Sequence, residues 1–408
     1  MSTTIRLPRS EGRRTPKPPE GGSGRGSGRR PRRSLRGRID VQSILSVATS
    51  APFLGWLTAR IAVVAALAFS RFLVNQLGAA DPAGRPASGL IGWDAVWYVR
   101  IVKSGYSHLP WESMRFFPLL PVLGRIVRPV FGARGGVLLI VNLAALAAGF
   151  LLERLARHER GDDDLAGRSA WLLALLPPAF VFTMGYAEAL FVLFGIATFY
   201  ALRTERFGWA IVAGFLCGLS RPLGVLLVVP ATIEALRGFR RARGTKERLL
   251  RLTSAVAPGL GLLSYLAWAF VAYGDFTRPF TVQQTGDRRG DFENPVLRLI
   301  EAGRQLAGGT DLGSGLHLPW ALGFLFLLVV LFRRWPVSYG LFAGLILATA
   351  LSAENLDSLE RYGLSAFPFV LAAADLLRAK WTEKVVLPLC GVGFVIYATL
   401  AFLGAYVP

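Results

Sequence analysis

The chain has 408 residues, of which 53% are hydrophobic and 18% are charged, and its formal net charge is +20. A soluble protein of this length carries about 25% charged residues, whereas here the apolar residues form long runs. The composition therefore excludes a soluble globular protein and indicates a protein that crosses the membrane several times. The basic excess does not indicate nucleic acid, because twelve of the 46 Lys and Arg residues lie in the first 38 residues and most others lie in short clusters between apolar runs.

Residues 1–48 are predicted to form a disordered, basic cytoplasmic tail. The stretch "RRTPKPPEGGSGRGSGRRPRRSLRGR" is rich in Gly, Pro, Ser and Arg and cannot bury a hydrophobic core. A basic tail next to a first span acts as an orientation signal, and attraction to anionic lipid headgroups is the alternative role.

Residues 49–408 are predicted to form an all-α, polytopic bundle of about eleven transmembrane helices. A span needs about 20 mostly apolar residues, although several candidates here are shorter. The candidates are 52–76, 135–153, 169–186, 187–202, 208–220, 222–236, 252–273, 317–332, 336–352, 360–377 and 385–406.

The distribution of basic residues predicts a cytoplasmic N-terminus. With that orientation the inner segments hold 30 Lys and Arg residues and the outer segments hold 14, as the positive-inside rule requires. The two large outer loops are then 77–134 and 274–316. Counting "RFFPLLPVLGRIVRPVFG", residues 115–132, as a further span would move the cluster "RGFRRARGTKERLLR" outside, so 115–132 is predicted to be an outer juxtamembrane or re-entrant helix. The stretch "QQTGDRRGDFENP" predicts a flexible turn, and "VLRLIEAGRQLAGG" after it predicts an amphipathic helix.

The stretch "GWDAVWYVRIVKSGY", residues 92–106, places one acid among aromatic residues. A helix over 93–103 puts Asp94 on the aromatic side, away from Lys103 and without a cation at i,i+4. A carboxylate on a partly desolvated aromatic surface suits a general base. An N-cap role for Asp94 is the structural alternative, and the two roles can coexist. Trp97 and Tyr98 are either interfacial anchors or walls for a sugar or lipid headgroup.

These residues resemble a known family. "WDAVWYVRIVKSGY" followed by "RFFPLLPVL" is similar to the first outer loop of mannosyltransferases related to PIG-V, the second GPI mannosyltransferase. "GYAEALF", "SRPLG" and "LERYGLSAFPF" follow in the order that the family shows, and the resemblance covers about residues 50–408. It implies a GT-C architecture, a polyprenyl- or dolichyl-phosphate-linked mannose donor, and an essential acid that maps onto Asp94. The chain departs from eukaryotic members in its long basic tail and short middle loops, so a GPI acceptor is not implied.

Such a transfer needs a base for the acceptor hydroxyl and cations for the departing phosphate. One carboxylate suffices for an inverting displacement, and Asp94 is the predicted base. Arg361 and Arg221 stand at outer span ends and are the predicted phosphate ligands. The alternatives are a snorkelling or plug role for Arg221 and, for Arg361, pairing with Glu360 or Asp357.

Glu188 begins an apolar run, and an ionisable group in a membrane marks a site by default. Its predicted roles are to bind substrate, to orient an arginine or to bind a metal, and buried pairing is the alternative. Two further residues, Lys103 and Tyr362, which follows Arg361, complete the predicted substrate-binding residues. Arg115 is a further phosphate candidate, although a solvated role suits both Lys103 and Arg115.

The sequence predicts no certain cofactor, and it leaves a divalent metal open. Neither His108 nor His317 has a second ligand at zinc spacing, and no nucleotide-binding loop is visible. The predicted partners are a polyprenyl-phosphate-sugar donor, a glycolipid, glycan or protein acceptor, and the lipid bilayer. The predicted location is the cell membrane with the active site on the outer face. A lipid or glycolipid flippase is the alternative function, but no internal repeat is visible and the acids lie at the outer edge rather than at the midplane.

Overall fold

The computed structural model describes residues 41–77, 89–283, 290, 292–308, 317–354 and 356–406. Contacts divide the chain into two units, Met1–Ile44 and Leu45–Pro408, and the features below belong to the second unit. The predicted tail falls almost entirely outside the described residues. The same holds for part of each predicted outer loop and for most of the predicted turn "QQTGDRRGDFENP".

The described residues are helical, and their single β-bridge joins Phe292 and Ala353. The α-helices are α1 Val41–Ala48, α2 Ala51–Leu77, α3 Asp94–Ser104, α4 Leu119–Arg160, α5 Asp163–Leu175, α6 Glu188–Arg203, α7 Phe207–Ser220, α8 Val228–Leu236, α9 Thr245–Tyr273, α10 Arg278–Thr281, α11 Pro295–Gly308, α12 Leu318–Arg334, α13 Val337–Leu351, α14 Leu359–Ser365, α15 Pro368–Leu376 and α16 Lys380–Leu403. The predicted all-α class is confirmed, and α11 is the helix expected in the later outer loop.

The helices have the composition of a multi-pass membrane protein. Four of those described are long and apolar enough to cross a membrane, namely Ala51–Gln76, Leu119–Arg160, Thr245–Tyr273 and Lys380–Leu403. Large apolar side chains are exposed on the surface of these helices, including Ile61, Ile126, Val271 and Leu389. Such surfaces are unfavourable in water and suit contact with lipid. The number eleven remains a prediction.

Three predicted spans are interrupted helices. In the predicted span 169–186, helix α5 ends at Leu175 and the 3₁₀ helix Pro177–Phe182 follows it. The span 222–236 begins as the 3₁₀ helix Pro222–Leu227, and 360–377 is divided into α14 and α15. Each of the three spans has a proline at a helix start, namely Pro177, Pro222 and Pro368. The fixed φ and missing N–H of proline favour the start of a helix over its continuation. Breaks inside a bundle leave helix ends free to line a cavity.

The segment 115–132 is joined to a span rather than separate from it. α4 runs from Leu119 to Arg160 with a kink at Gly132, whose φ of 67° and ψ of 172° are not helical. Glycine adopts such a positive φ without steric cost. Residues 119–131 therefore form an arm at an angle to 133–160, and α3 packs on this arm through a buried face that includes Ala95, Tyr98 and Val102.

Candidate active site

A cavity of about 850 Å³ lies where α3, α6, α7 and α14 meet. Its charged lining comprises three arginines and three carboxylates, and aromatic rings cover much of the remaining wall. The charged residues are Asp94, Glu188, Asp357, Arg115, Arg221 and Arg361, and the rings include Tyr98, Phe116, Tyr186 and Tyr362. Six of the eight predicted site residues come from four separate segments of the chain and all line this cavity: Asp94, Tyr98, Glu188, Arg221, Arg361 and Tyr362.

Asp94 is the first residue of α3 and does not cap it. Trp93 occupies the cap position with φ 55° and ψ −130°, and no side chain there accepts a capping hydrogen bond. The alternative role of Asp94 as an N-cap is therefore wrong. A positive φ is uncommon for tryptophan and costs about 1–3 kcal/mol, which the surroundings must offset. Trp93 Nε1 donates to the carbonyl of Ala401 at 3.0 Å, so α16 holds this turn in place and thereby directs Asp94 into the cavity.

Two arginines contact the carboxylate of Asp94. Arg115 Nη2 lies 3.2 Å from Oδ1, and Arg361 Nη1 lies 3.1 Å from Oδ2. The sequence indicated correctly that Lys103 would not pair with this acid, but the cations that do pair with it come from other segments of the chain. A carboxylate has about four lone-pair sites, and this side chain is 30% exposed. Asp94 therefore keeps acceptor capacity toward the cavity.

Glu188 is almost fully buried and joins two arginines. Its Oε1 lies 2.9 Å from Arg221 Nη1 and 3.2 Å from Arg361 Nη1. Two predictions were made for Glu188 that involve arginine: that it orients an arginine, and that it forms a buried ion pair. This geometry is consistent with both. A buried carboxylate held by two guanidinium groups is fixed in position, because moving it would leave a charge uncompensated.

Local breaks in the chain position these arginines. Arg221 is the extended residue between α7 and Pro222, with φ −156° and ψ 155°, and a residue before proline favours that conformation. Arg361 lies in the first turn of the short helix α14, and its Nη2 contacts Ser358 Oγ at 3.2 Å. Ser358 has a φ of 67°. Two of the three non-glycine residues with positive φ in the described part of the chain, Trp93 and Ser358, thus flank the site.

The arginines retain donors that the described protein atoms do not satisfy. Arg115 Nε and Arg361 Nε are buried and have no hydrogen-bond partner among the described residues. A buried donor without a partner costs about 1–3 kcal/mol. The three arginines and three carboxylates of the lining sum to zero net charge, so it is the unsatisfied arginine donors that favour an anion. The arrangement therefore suits a bound anion with acceptor oxygens.

Two predicted substrate-binding residues lie outside the cavity lining. Trp97 stacks on Phe116, with ring centroids 5.7 Å apart, and Arg100 lies over the other part of its surface at 5.5 Å from the centroid. Lys103 is exposed in the last turn of α3. Lys103 lies on the opposite face of α3 from Asp94. Trp97 lies on the same side as Asp94, but its ring packs on Phe116.

Tyr98 is buried beside Asp94 and Glu188. Burial raises the pKa of Tyr98 well above its ordinary value, and the negative charge of Glu188 raises it further. The hydroxyl therefore stays protonated and serves as a hydrogen-bond donor or acceptor rather than as a base. The candidates for a base in the cavity are then the carboxylates.

The third carboxylate, Asp357, belongs to a neighbouring cluster. His317 Nδ1 lies 2.6 Å from Glu360 Oε1, and Tyr406 donates to Glu360 Oε2 at 3.1 Å. His317 Nε2 lies 3.7 Å from Asp357 Oδ1. The predicted alternative in which Arg361 pairs with Glu360 or Asp357 is therefore wrong, because Glu360 turns to His317 while Arg361 turns to Asp94 and Glu188. In helix α14 adjacent residues point about 100° apart.

Sequence reasoning underrated Arg115 and missed the roles of Trp93, Tyr186 and Ser358. The position of Arg115 directly before Phe116, in the most family-specific block, was the available signal. Arg361 lies over the Tyr186 ring, 5.3 Å from its centroid.

Within the described residues no group of three or more His, Cys, Asp or Glu side chains is placed to hold a metal ion.

The family description "Mannosyltransferase (PIG-V)" matches residues 60–331 of the chain. This range covers Asp94, Arg115, Glu188 and Arg221, and it ends before Arg361. No curated protein matches the sequence significantly.

Two solved structures match this chain at low sequence identity. ArnT from Cupriavidus metallidurans, bound to undecaprenyl phosphate, is 15% identical over 75% of this chain and 71% of its own length, with a TM-score of 0.48. The oligosaccharyltransferase from Archaeoglobus fulgidus in complex with Zn and sulfate is 16% identical over 84% of this chain, with a TM-score of 0.41. This chain spans about half of that enzyme, 52%.

Proposed function

Because this chain belongs to the mannosyltransferase (PIG-V) family and is therefore a membrane glycosyltransferase, we propose that it transfers mannose from a polyprenyl-phosphate carrier to an acceptor hydroxyl on the outer face of the membrane. The observation that carries the proposal is the partly exposed carboxylate of Asp94, which contacts Arg115 and Arg361 in a cavity that Arg221 also lines. The donor class follows from the family resemblance, and the unsatisfied arginine donors in the cavity support it. The acceptor is a lipid, a glycan or a protein.

Asp94 is the general base in this proposal. It accepts the proton of the acceptor hydroxyl as the hydroxyl oxygen bonds to the anomeric carbon of mannose. The bond between that carbon and the phosphate oxygen breaks in the same displacement, and the electron pair leaves with the polyprenyl phosphate. One carboxylate is sufficient for this inverting step, whereas a retaining double displacement needs a second carboxylate as nucleophile.

Arg115, Arg221 and Arg361 hold the phosphate. The donor phosphodiester carries one negative charge and the released phosphate carries more, so the demand for cations rises during the reaction. Guanidinium groups fixed before the reaction stabilise such developing charge without reorganisation. The unpaired Nε atoms of Arg115 and Arg361 supply donors for this purpose.

Glu188 positions two of these arginines. It is buried and contacts both Arg221 and Arg361 through one oxygen, so it fixes the distance between their guanidinium groups. Tyr98 and Tyr362 form walls beside the sugar. Residues 49–408 constitute the enzyme in this proposal, and residues 1–48 are a cytoplasmic tail that orients it.

The decisive experiment compares the purified wild type with Asp94→Asn in detergent, with polyprenyl-phosphate-mannose as the donor. Asparagine keeps the size of the side chain but cannot accept the proton. We expect the rate of mannosyl transfer to fall at least about a hundredfold, the low end for loss of a general base. Elution as a single species in size-exclusion chromatography checks that the variant folds.

Asp357→Asn is the matched control, because it neutralises another carboxylate of the same cavity. Asp357 faces His317 rather than the arginines, so its loss should reduce the rate less than about tenfold. Full activity of Asp94→Asn would remove Asp94 from the mechanism. A larger loss in Asp357→Asn than in Asp94→Asn would assign the base to Asp357 instead.

A further inference from the structure

A second cavity, of about 1250 Å³, lies at the other end of α7 from Asp94. Residues at the start of α7 line it, whereas Ser220 at the end of α7 lines the first cavity. The fourteen residues of α7 separate the two by about 20 Å at 1.5 Å per residue. The second cavity has no role in the proposed transfer.

This cavity is strongly basic. Its charged lining consists of five arginines and two glutamates, Arg206, Arg237, Arg241, Arg243, Arg251, Glu205 and Glu247, which leaves three net positive charges. Loops before α7 and before α9 contribute most of these residues. A cationic surface of this size at the boundary of a helical bundle attracts anionic headgroups.

Arg251 builds the cavity rather than offering its charge. It is buried, donates from Nη1 to the carbonyl of Arg237 at 2.7 Å, and contacts Glu247 Oε1 through Nη2 at 2.8 Å. Its guanidinium group also lies over the Phe207 ring, 4.3 Å from the centroid. These contacts tie the 237–244 loop to α7 and α9, so the shape of the cavity is fixed by a buried cation.

Three other arginines keep their charge available. Arg206, Arg241 and Arg243 are exposed, and none of their side chains forms an ion pair with any residue that the structure describes. Large apolar side chains border the same cavity. Trp209 is 70% exposed and Val212 is 49% exposed. Exposed tryptophan is typical of the level of lipid headgroups.

We propose that this cavity binds an anionic phospholipid, with the headgroup phosphate against Arg206, Arg241 and Arg243 and the acyl chains along the apolar surface that includes Trp209 and Val212. The adjoining apolar surface favours a phospholipid over free phosphate, since inorganic phosphate would leave that surface in water. The proposal is independent of the transfer reaction, because the two cavities share no lining residue.

Native mass spectrometry of the full chain in detergent tests the proposal, with phosphatidylglycerol as the probe and phosphatidylcholine as the zwitterionic comparison. The triple variant Arg206→Gln, Arg241→Gln, Arg243→Gln should bind phosphatidylglycerol at least about tenfold more weakly, since each basic residue near an anionic headgroup contributes about fivefold. Binding of phosphatidylcholine should change less than twofold.

The matched control removes three nearby charges that do not line the cavity, one in the 237–244 loop and two at the start of α9, by Arg240→Gln, Lys246→Gln and Arg248→Gln. It should change phosphatidylglycerol binding less than twofold. Equal weakening in the two triple variants would show that a diffuse surface charge binds the lipid. Unchanged binding in the first variant would show that the cavity arginines do not bind it, and either result overturns the proposal. Displacement of the lipid by millimolar inorganic phosphate would identify a free-anion site and overturn it as well. The single variant Arg241→Gln, expected to weaken binding severalfold, repeats the test with minimal change to the fold.

Discussion

The most informative substitution is Arg361→Lys, because it keeps a positive charge and removes only the forked geometry. Arg361 Nη1 lies 3.1 Å from Asp94 Oδ2 and 3.2 Å from Glu188 Oε1, while Nη2 lies 3.2 Å from Ser358 Oγ. A lysine has one nitrogen on a flexible stem and cannot reproduce contacts made by two nitrogens held in one plane. The phosphate donor at Nε is also lost.

Removal of one fixed donor to a developing anion costs about 2.7–4 kcal/mol. The retained ammonium charge returns part of this, so a net loss of about 1.4–2.8 kcal/mol is expected, which corresponds to a ten- to hundredfold fall in kcat/KM. The fall should lie mainly in kcat, because the interaction strengthens as the phosphate departs.

Steady-state rates of mannosyl transfer with varied donor concentration measure both constants. Arg334→Lys is the control, since Arg334 contacts Asp375 at 3.4 Å at the far end of α12 from the cavity, and it should stay within twofold of the wild type. The assigned role of Arg361 is refuted if Arg361→Lys is also within twofold, or if the two variants lose the same activity.

Three further predictions concern stability, packing and topology. Glu188→Gln should lower the stability by about 3 kcal/mol, because the buried Arg361 and the largely buried Arg221 lose their shared counter-charge; an unchanged melting temperature in detergent would contradict this. Gly185→Ala should reduce both the melting temperature and the transfer rate, since its Cβ would lie 2.9 Å from Val137 Cγ1 in the packing behind α3. Gly208→Ala, whose Cβ meets open space, should leave both unchanged. A cysteine introduced at the exposed position Ser107 should react with an impermeant thiol reagent in intact cells, and reaction only after lysis would reverse the predicted orientation.

Long apolar runs made the helical class predictable from the sequence alone. An uninterrupted apolar segment must satisfy its backbone hydrogen bonds internally in lipid, and a helix does so with local contacts only. The position of Asp94 in an amphipathic helix followed for the same reason, because helical periodicity depends on neighbouring residues. The kink at Gly132 and the interrupted spans were less accessible, since membrane helices tolerate glycine and proline in many positions.

The family motifs could also be recognised from the sequence alone, because each is a short contiguous string of residues. They located Asp94, Glu188, Arg221 and Arg361 without showing that these residues meet. Arg361 and Asp94 are 267 positions apart, and no local pattern encodes which carboxylate a distant guanidinium group will contact.

Only the tertiary structure decided the partners within the site. Packing of α3 on the arm of α4 brings Arg115 to Asp94, and the turn at Ser358 directs Arg361 to Asp94 and Glu188 rather than to its sequence neighbour Glu360. The sequence determined that this protein is a bundle of apolar helices with an acid at the start of one of them. The three-dimensional contacts determined that the acid lies between two cations, because ion pairs depend on the distance between side chains in space and not on their spacing along the chain.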